Sequence, residues 1–430
     1  MEVRHGYKQT EVGLIPETWS LRPLGAVGKW FSGGTPSMSI HSYWSGDIPW
    51  VSPKDMKVSR LHDSVDHITK QAVADGARLL PAGAILVVIR GMILAHSFPV
   101  GRAERNLAFN QDIKAVITGD GVDSRFLLYW LIANAQHLRG LTTESTHGTK
   151  RLPTEMLFRE LVACPPSLEQ EAITEALSDA DALIESLEQL LVKKRQLKQG
   201  AMQELVTGKK RLPGFESNPG HKQTEVGVIP EDWETVPFSG LMEFQNGVNA
   251  DKGAYGTGFR FINVLEVITK SHLRAQDIPG RVELSKSSAA AYAVRRGDIV
   301  FNRTSETQEE VGLSAVYVGD ESVVFGGFVI RGRPKDERIH TIYAGYGLRA
   351  PRIRGQIVAR GQGAIRANIG QADLRKVWMA LPTKAEQEAI AAILSDMDAD
   401  IAALEAKLTK ARQLKQGMMQ ELLTGRIRLV

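Results

Sequence analysis

Two long stretches of the chain repeat apolar residues at alternating intervals of three and four positions. In each stretch the apolar residues form one narrow stripe, a pattern typical of helices that pack in a coiled coil. The predicted stripe residues are Leu183, Leu187, Leu190 and Leu197 in the first helix, and Ile401, Leu404, Leu408 and Leu414 in the second.

Both helices carry signals for their ends. Ser167 and Thr383 stand where an N-cap residue would begin each helix, and Gln170 and Glu386, three positions later, fit a capping box. A glycine at the C′ position commonly ends a helix. The glycines in that place are Gly208 and Gly425.

The two helices are predicted to pack against each other. Neither can bury its apolar stripe alone, and each follows its preceding segment by the same route. An internal two-fold relation would make the pair antiparallel. The alternative is that each helix packs separately onto its own domain.

The same framework sequence occurs twice. KQTEVGLIPETW at Lys8–Trp19 recurs as KQTEVGVIPEDW at Lys222–Trp233, with ten of twelve positions identical. KKRQLKQGAMQELVTG at Lys193–Gly208 recurs as KARQLKQGMMQELLTG at Lys410–Gly425, with thirteen of sixteen identical. A repeat at this spacing indicates one module used twice.

The segments between the framework blocks differ strongly and combine short β-prone runs with helical patterns. Ala84–Ile89 and Val323–Phe325 are predicted strands, and Phe126–Ala135 and Ile342–Leu348 are predicted helices. The predicted fold class is therefore α+β, with internal pseudo-two-fold symmetry. The predicted divisions are 1–164 (conserved segment and first variable domain), 165–210 (first helix), 211–235 (connector), 236–381 (second variable domain) and 382–430 (second helix).

Composition narrows the class of protein. A chain of 430 residues with 43% hydrophobic residues can form more than one core. The longest apolar runs are far shorter than the roughly 20 residues that span a bilayer, so a cytoplasmic protein without a membrane partner is expected. A net charge of +4 is compatible with a nucleic-acid partner without requiring one. The single cysteine, Cys164, excludes a disulfide framework.

Signatures of catalysis are missing from the sequence. It has no G-x-x-x-x-G-K-[ST] phosphate loop, no H-E-x-x-H zinc motif and no glycine-rich dinucleotide loop. We therefore expect no catalytic residue, no metal site and no cofactor bound by this chain.

Polar and basic residues near the predicted strands and turns form the candidate recognition set. Arg and Lys can pair with guanine, and Asn and Gln with adenine, in the major groove. The candidates are Thr35, Ser37, Trp44, Lys54, Lys57, Arg90, Arg102, Asn110, Gln111, Thr149, Lys150 and Arg151, and then Arg260, Asn263, Arg303, Gln362, Arg366 and Asn368.

Two loops stand out in that set, because Gly148 precedes Thr149–Arg151 and Gly363 precedes Ala364–Arg366 at corresponding places. Such loops are candidates for contacts with a phosphate or a base. For any single residue of the set, an ordinary surface or turn position is the simpler interpretation.

Taken in order, these blocks resemble the specificity subunit of bacterial type I restriction–modification systems over nearly the whole chain. The resemblance rests on the duplicated KQTEVG blocks, GGTPS with IPWVSPKDM, FNQ at Phe109–Gln111, and EQEAI followed by RQLKQG in both halves. The second variable domain departs from it, since GVNADKGAYGTGFRFINV stands where the first has GGTPS.

The resemblance implies two target-recognition domains separated by two conserved helices in an antiparallel coiled coil. Each domain would read one half of a bipartite site in double-stranded DNA. The partners implied are two copies of a methylating subunit, which uses S-adenosylmethionine, and two restriction subunits, which use ATP and Mg²⁺.

Two other classes of function remain open from the residues. A coiled-coil adaptor or scaffold would account for the helices, although not for a repeated framework with divergent domains. A stand-alone DNA enzyme would need a catalytic constellation that the sequence does not contain.

Overall fold

A computed structural model describes residues 5–144, 149–216, 220–363 and 366–429. The chain forms two compact units. The first contains residues 1–188 and 406–430, and the second contains residues 189–405. Each unit thus includes the start of one long helix and the end of the other. None of the helices in the described ranges is long and apolar enough to cross a membrane.

The first unit contains two larger sheets. Its strands are β1 (Tyr7–Thr10), β2 (Gly13–Pro16), β3 (Ser20–Pro23), β4 (Gly28–Ser32), β5 (Ile48–Val51), β6 (Arg60–Leu61), β7 (Asp66–Ile68), β8 (Leu79–Leu80), β9 (Ile85–Val88), β10 (Val100–Ala103), β11 (Leu107–Phe109), β12 (Ile113–Thr118), β13 (Thr143–Glu144), β14 (Lys150–Arg151) and β15 (Leu161–Cys164). The sheet orders are β4-β12-β9-β10-β6 and β7-β5-β11-β8. Its helices are α1 (Lys70–Ala74), α2 (Ser124–Ala133), α3 (Ala135–Gly140), α4 (Thr154–Arg159) and the start of α5 (Ser167–Leu205).

The second unit repeats this topology. Its strands are β16 (His221–Thr224), β17 (Gly227–Pro230), β18 (Glu234–Pro237), β19 (Met242–Asn246), β20 (Tyr255–Ile262), β21 (His272–Leu273), β22 (Arg281–Val282), β23 (Ala293–Val294), β24 (Ile299–Asn302), β25 (Thr304–Ser305), β26 (Ser314–Tyr317), β27 (Val323–Phe325), β28 (Val329–Pro334), β29 (Ala367–Asn368) and β30 (Trp378–Leu381). The sheet orders are β19-β28-β24-β26-β21 and β22-β20-β27-β23. Its helices are α6 (Phe238–Leu241), α7 (Val264–Thr269), α8 (Lys286–Ala291), α9 (Thr341–Gly347), α10 (Pro351–Arg360), α11 (Gln371–Leu374) and the start of α12 (Lys384–Leu422).

The predicted α+β class and the two long helices are confirmed. Each helix has 39 residues, and the glycines after them, Gly208 and Gly425, have φ of 71° and 69°. This left-handed conformation suits the C′ position of a helix, where a residue with a Cβ would be strained.

The reciprocal capping boxes do not form as predicted, although the N–H of Glu386 donates to Thr383 Oγ1 at 3.4 Å. Gln170 donates to the carbonyls of Pro165 and Gly121 and accepts from the backbone N–H of Asp123. Gln387, its counterpart in the second unit, makes the same three kinds of contact. Glu386 binds other side chains instead of the backbone N–H of Thr383. The side chains near each helix start therefore fix the helix to its domain.

The helices pack antiparallel within each unit. In the second unit Lys198 pairs with Asp398, and Arg195 with Glu405 at 2.5 Å. In the first unit Lys415 pairs with Asp181 at 2.5 Å, and Arg412 with Glu188 at 2.6 Å. The four pairs are the same two interactions, repeated at an offset of 217 residues.

The buried stripe of the coiled coil includes only some of the predicted residues, and in the first helix it contains Leu191 in place of its predicted neighbour Leu190. Leu191, Ile401 and Leu408 are buried, and Leu187 and Leu404 are half-buried. The other predicted members, Leu183, Leu190, Leu197 and Leu414, are exposed. The stripe instead includes half-buried lysines, because a lysine can bury its methylene stem while its ammonium group pairs with an aspartate.

A buried carboxylate anchors each framework hairpin to a helix. In the first unit Glu169 is fully buried, accepts from Trp19 Nε1 at 2.9 Å and pairs with Arg428 at 2.5 Å. In the second unit Glu386 accepts from Trp233 Nε1 at 2.9 Å and pairs with Arg211 at 2.6 Å. Contact with Glu169 raises the pKa of Arg428 above its ordinary value.

Replacement of either carboxylate should destabilise the protein strongly. We expect Glu169→Gln or Glu386→Gln to lower the free energy of unfolding by about 1–3 kcal/mol, because the buried carboxylate that accepts charge-assisted hydrogen bonds from a half-buried arginine would be lost. Denaturant unfolding of the purified chain measures this. The matched control is Glu171→Gln at an exposed position of α5, which should change stability by less than about 0.5 kcal/mol. Equal stability of all three variants would contradict the anchoring role.

Candidate nucleic-acid interface

Three segments of the first unit meet where strands β5 and β11 end. The two strands are parallel, so the segments that follow them lie at the same sheet edge. Asn110 N–H donates to Val51 at 2.9 Å, and Gly34 N–H donates to Phe109 at 3.0 Å. The second bond brings the GGTPS loop to the edge, where Thr35 donates to Gln111. A side chain at Gly33 would collide with the backbone of Asn110, so only glycine permits this approach.

Two arginines lie side by side at this edge. Arg90 pairs with Arg151 in an antiparallel bridge, flanked by hydrogen bonds from Leu152 to Ile89 at 2.8 Å and from Gly91 to Lys150 at 3.0 Å. Like charges directly opposite each other repel. Asp112 lies 3.6 Å from Arg90 and offsets part of that repulsion, while both arginine side chains stay exposed. Both guanidinium groups therefore present hydrogen-bond donors and positive charge at the surface.

The second unit builds the same edge from different residues. Strands β20 and β27 are parallel, and Val248 N–H donates to Phe325 at 3.0 Å. At the position of the arginine pair, Thr304 donates to Asn368 at 2.7 Å. The like-charged pair of the first unit is therefore a neutral, hydrogen-bonded pair here.

Three further candidates lie at the edge of the second unit. Arg303 donates to the carbonyl of Gly327 at 3.3 Å, and Arg366 lies 3.9 Å from Glu306. Gln362 exchanges two backbone hydrogen bonds with Asn368, at 2.8 and 2.9 Å. Both Arg366 and Gln362 are exposed. The edge thus keeps cationic and amide groups around its neutral pair.

Several candidates have structural contacts that the sequence did not indicate. Arg102 aligns with Ile85, at the far end of β9 from Arg90, and binds Glu104 at 2.8 Å. Asn263 caps α7 in a capping box with Glu266. Asn110 is buried and hydrogen-bonds within its own turn. These side chains hold the domain together.

The remaining candidates surround the edge of the first unit or lie elsewhere in the second. Lys54 pairs with Asp66 at 2.7 Å, and Lys57 is exposed after β5. Trp44 packs edge-on against Trp50 and donates to the carbonyl of Ser37. Arg260 lies 3.6 Å from Glu321.

The two predicted loops are only partly described. Lys150 pairs with Glu144 at 2.6 Å, and Thr149 is half-buried. Gly148 and Ala364 lie outside the described residues. In the described ranges, no group of three histidine, cysteine or acidic side chains could hold a metal ion.

One feature of the edges was not predicted. Phe328 follows β27 at the place where Asp112 follows β11, and its ring is exposed. Nothing in the sequence indicated that Phe328 and Asp112 are equivalent, because the FNQ segment of the first domain corresponds to FGGF in the second, which has no polar side chain.

Comparison with known proteins gives a consistent result. The sequence model of a family described as the type I restriction modification DNA specificity domain matches residues 16–193 and 230–413. The MjaIX specificity subunit of a type I restriction enzyme from Methanocaldococcus jannaschii is 26% identical over 326 residues, 72% of each chain.

An Escherichia coli type I restriction enzyme specificity subunit is 31% identical over 180 residues, which cover 41% of this chain and 45% of that relative. The crystal structure of a type I restriction–modification S subunit from M. genitalium matches with a TM-score of 0.55 at 12% identity, covering 98% of both chains. At 12% identity, this structural similarity supports a shared fold.

Proposed function

We propose, because the chain belongs to the type I restriction modification DNA specificity family, that it is the sequence-reading subunit of a type I complex. Each variable domain reads one half of a bipartite site in double-stranded DNA. The observation that carries this proposal is the pair of equivalent sheet edges, built on one topology but lined by different side chains. Two different edges on a repeated framework suit two different half-sites.

The chain acts in this proposal without a catalytic residue or a cofactor of its own. Two methylating subunits supply the adenine methylation with S-adenosylmethionine, and two restriction subunits supply ATP- and Mg²⁺-dependent cleavage. The duplicated framework supports two copies of one partner, because nearly the same framework sequence occurs twice.

In the first unit, we propose that Arg90 and Arg151 read guanine. Arg90→Ala or Arg151→Ala should weaken binding of the assembled complex to its target by about 1–3 kcal/mol and relax one half-site only, since each guanine contact carries discrimination of that size. Sequencing of adenine methylation in cells that carry each variant measures the motif. Arg125→Ala is the matched control, because Arg125 lies in the first turn of α2, where its neighbour Ser124 accepts from Arg102, which is at the far end of β9 from the edge. A change in both half-sites would contradict the assignment.

The helix pair sets the length of the unread spacer in this proposal. One heptad inserted after Glu188 and one after Glu405 would keep the 3–4 spacing and add about 10 Å to each helix. We expect the spacer to grow, by up to about three base pairs at 3.4 Å each. The methylated motif measures this, and an altered half-site would contradict the role.

Exposed leucines in the identical RQLKQG segments are the proposed docking points for the methylating subunits. Leu197 is 52% exposed and Leu414 is 60% exposed. The same sequence surrounds both leucines, so each can present the same surface to a partner. We expect Leu197→Asp or Leu414→Asp to remove one methylating subunit, and the double variant to remove both, as native mass measurement of the complex would show.

The control for this experiment is Leu183→Asp. Leu183 is 52% exposed, and the equivalent position of the second helix is already an aspartate, Asp400. A double variant of Leu197 and Leu414 that keeps two methylating subunits would exclude these leucines as docking points.

A further inference from the structure

The two sheet edges match in position but differ in chemical character. Three residues after the parallel strand, the first unit has Lys54 and the second has Leu265. Three residues after the neighbouring strand, the first has Asp112 and the second has Phe328. Charged residues at the first edge are thus replaced by large apolar residues at the second.

Both of these apolar side chains are exposed. Leu265 is 67% exposed and Phe328 is 63% exposed, among the highest values for large apolar side chains in the described chain. Val264 and Ile268, on the same helix, line a shallow pocket of about 340 Å³ together with Phe328 and Thr304. Exposed apolar side chains gathered around a shallow pocket are a feature of ligand and partner sites.

The surroundings of the patch favour DNA as the ligand. Arg366 also lines the pocket, and Arg303 reaches the carbonyl of Gly327 beside Phe328. Glu306 lies 3.9 Å from Arg366 and Glu310 accepts from Ser305, so the acidic groups of the pocket already have partners. Cations at the rim of the pocket can pair with DNA phosphates, and its apolar floor can contact an apolar group of a base.

In the major groove only one base presents an apolar group, the 5-methyl group of thymine. We propose that the patch formed by Val264, Ile268 and Phe328, with Leu265 beside it on α7, contacts thymine methyl groups, so that the half-site read by the second unit contains thymine. This inference rests on the proposed function, and it goes further by assigning a base type to one edge.

The test removes the methyl group alone. The complex of this chain with its methylating subunits is titrated, at one fixed salt concentration, with duplexes in which single thymines of the target are replaced by uracil. We expect uracil at one or two positions in the second unit's half-site to weaken binding about fourfold each, the value of one buried methyl group. Uracil in the first unit's half-site should change binding by the same factor whether or not the patch is substituted.

Substitutions of the patch residues test the same contact from the side of the protein. Phe328→Ala and Leu265→Ala should weaken binding to the thymine duplex and abolish the difference between thymine and uracil. Leu183→Ala, an exposed leucine on α5, should leave both values unchanged and serves as the control.

The outcomes separate the two proposals. Specific binding with no thymine in that half-site, or with no response to uracil at any thymine, overturns the inference while the proposed function stands. Loss of a protein subunit in Phe328→Ala makes the patch a protein contact and also overturns it. Absence of any sequence-specific binding overturns both proposals.

Discussion

The pairing of each long helix with the other is the constraint on which the remaining structure depends. A half-buried aspartate lies in the stripe of each unit, Asp181 in the first and Asp398 in the second. Asp181 accepts from Tyr129 at 2.8 Å and pairs with Lys415, and Asp398 makes the same contacts with Tyr346 and Lys198. Burial raises the pKa of Tyr129 to about 12, so this phenol remains a neutral donor at physiological pH. One carboxylate thereby joins a domain helix to both long helices.

This arrangement explains why the framework is repeated and the domains are not. A polar contact inside a helix pair fixes register, because a shift by one turn would leave its charges without partners. The same requirement in both units keeps the same residues at an offset of 217. The sheet edges carry no such requirement, since their exposed side chains contribute little to packing. They can therefore differ while the sheet order stays the same.

Burial explains which recognition candidates the sequence could identify. Arg90 and Arg151 are far apart in the sequence, and only the bridge between strand ends makes them neighbours. Arg102 has the same side chain as Arg90 and lies on the next strand of the sheet, yet it is at the opposite end of β9. Residue type therefore predicted the kind of chemistry, whereas strand direction decided which residues could act together.

By itself, the sequence determined the α+β class, the two long helices with their C′ glycines, and the duplicated framework, because periodicity and repetition are local properties. The tertiary structure decided which of two adjacent stripes is buried, since Leu190 and Leu191 both fit a 3–4 spacing. The lysine–aspartate pairs between the helices favour the stripe of Leu191. The tertiary structure also showed that Phe328 occupies the position in the second unit that Asp112 occupies in the first, because strand pairing, and not residue identity, sets which residues of two divergent domains are equivalent.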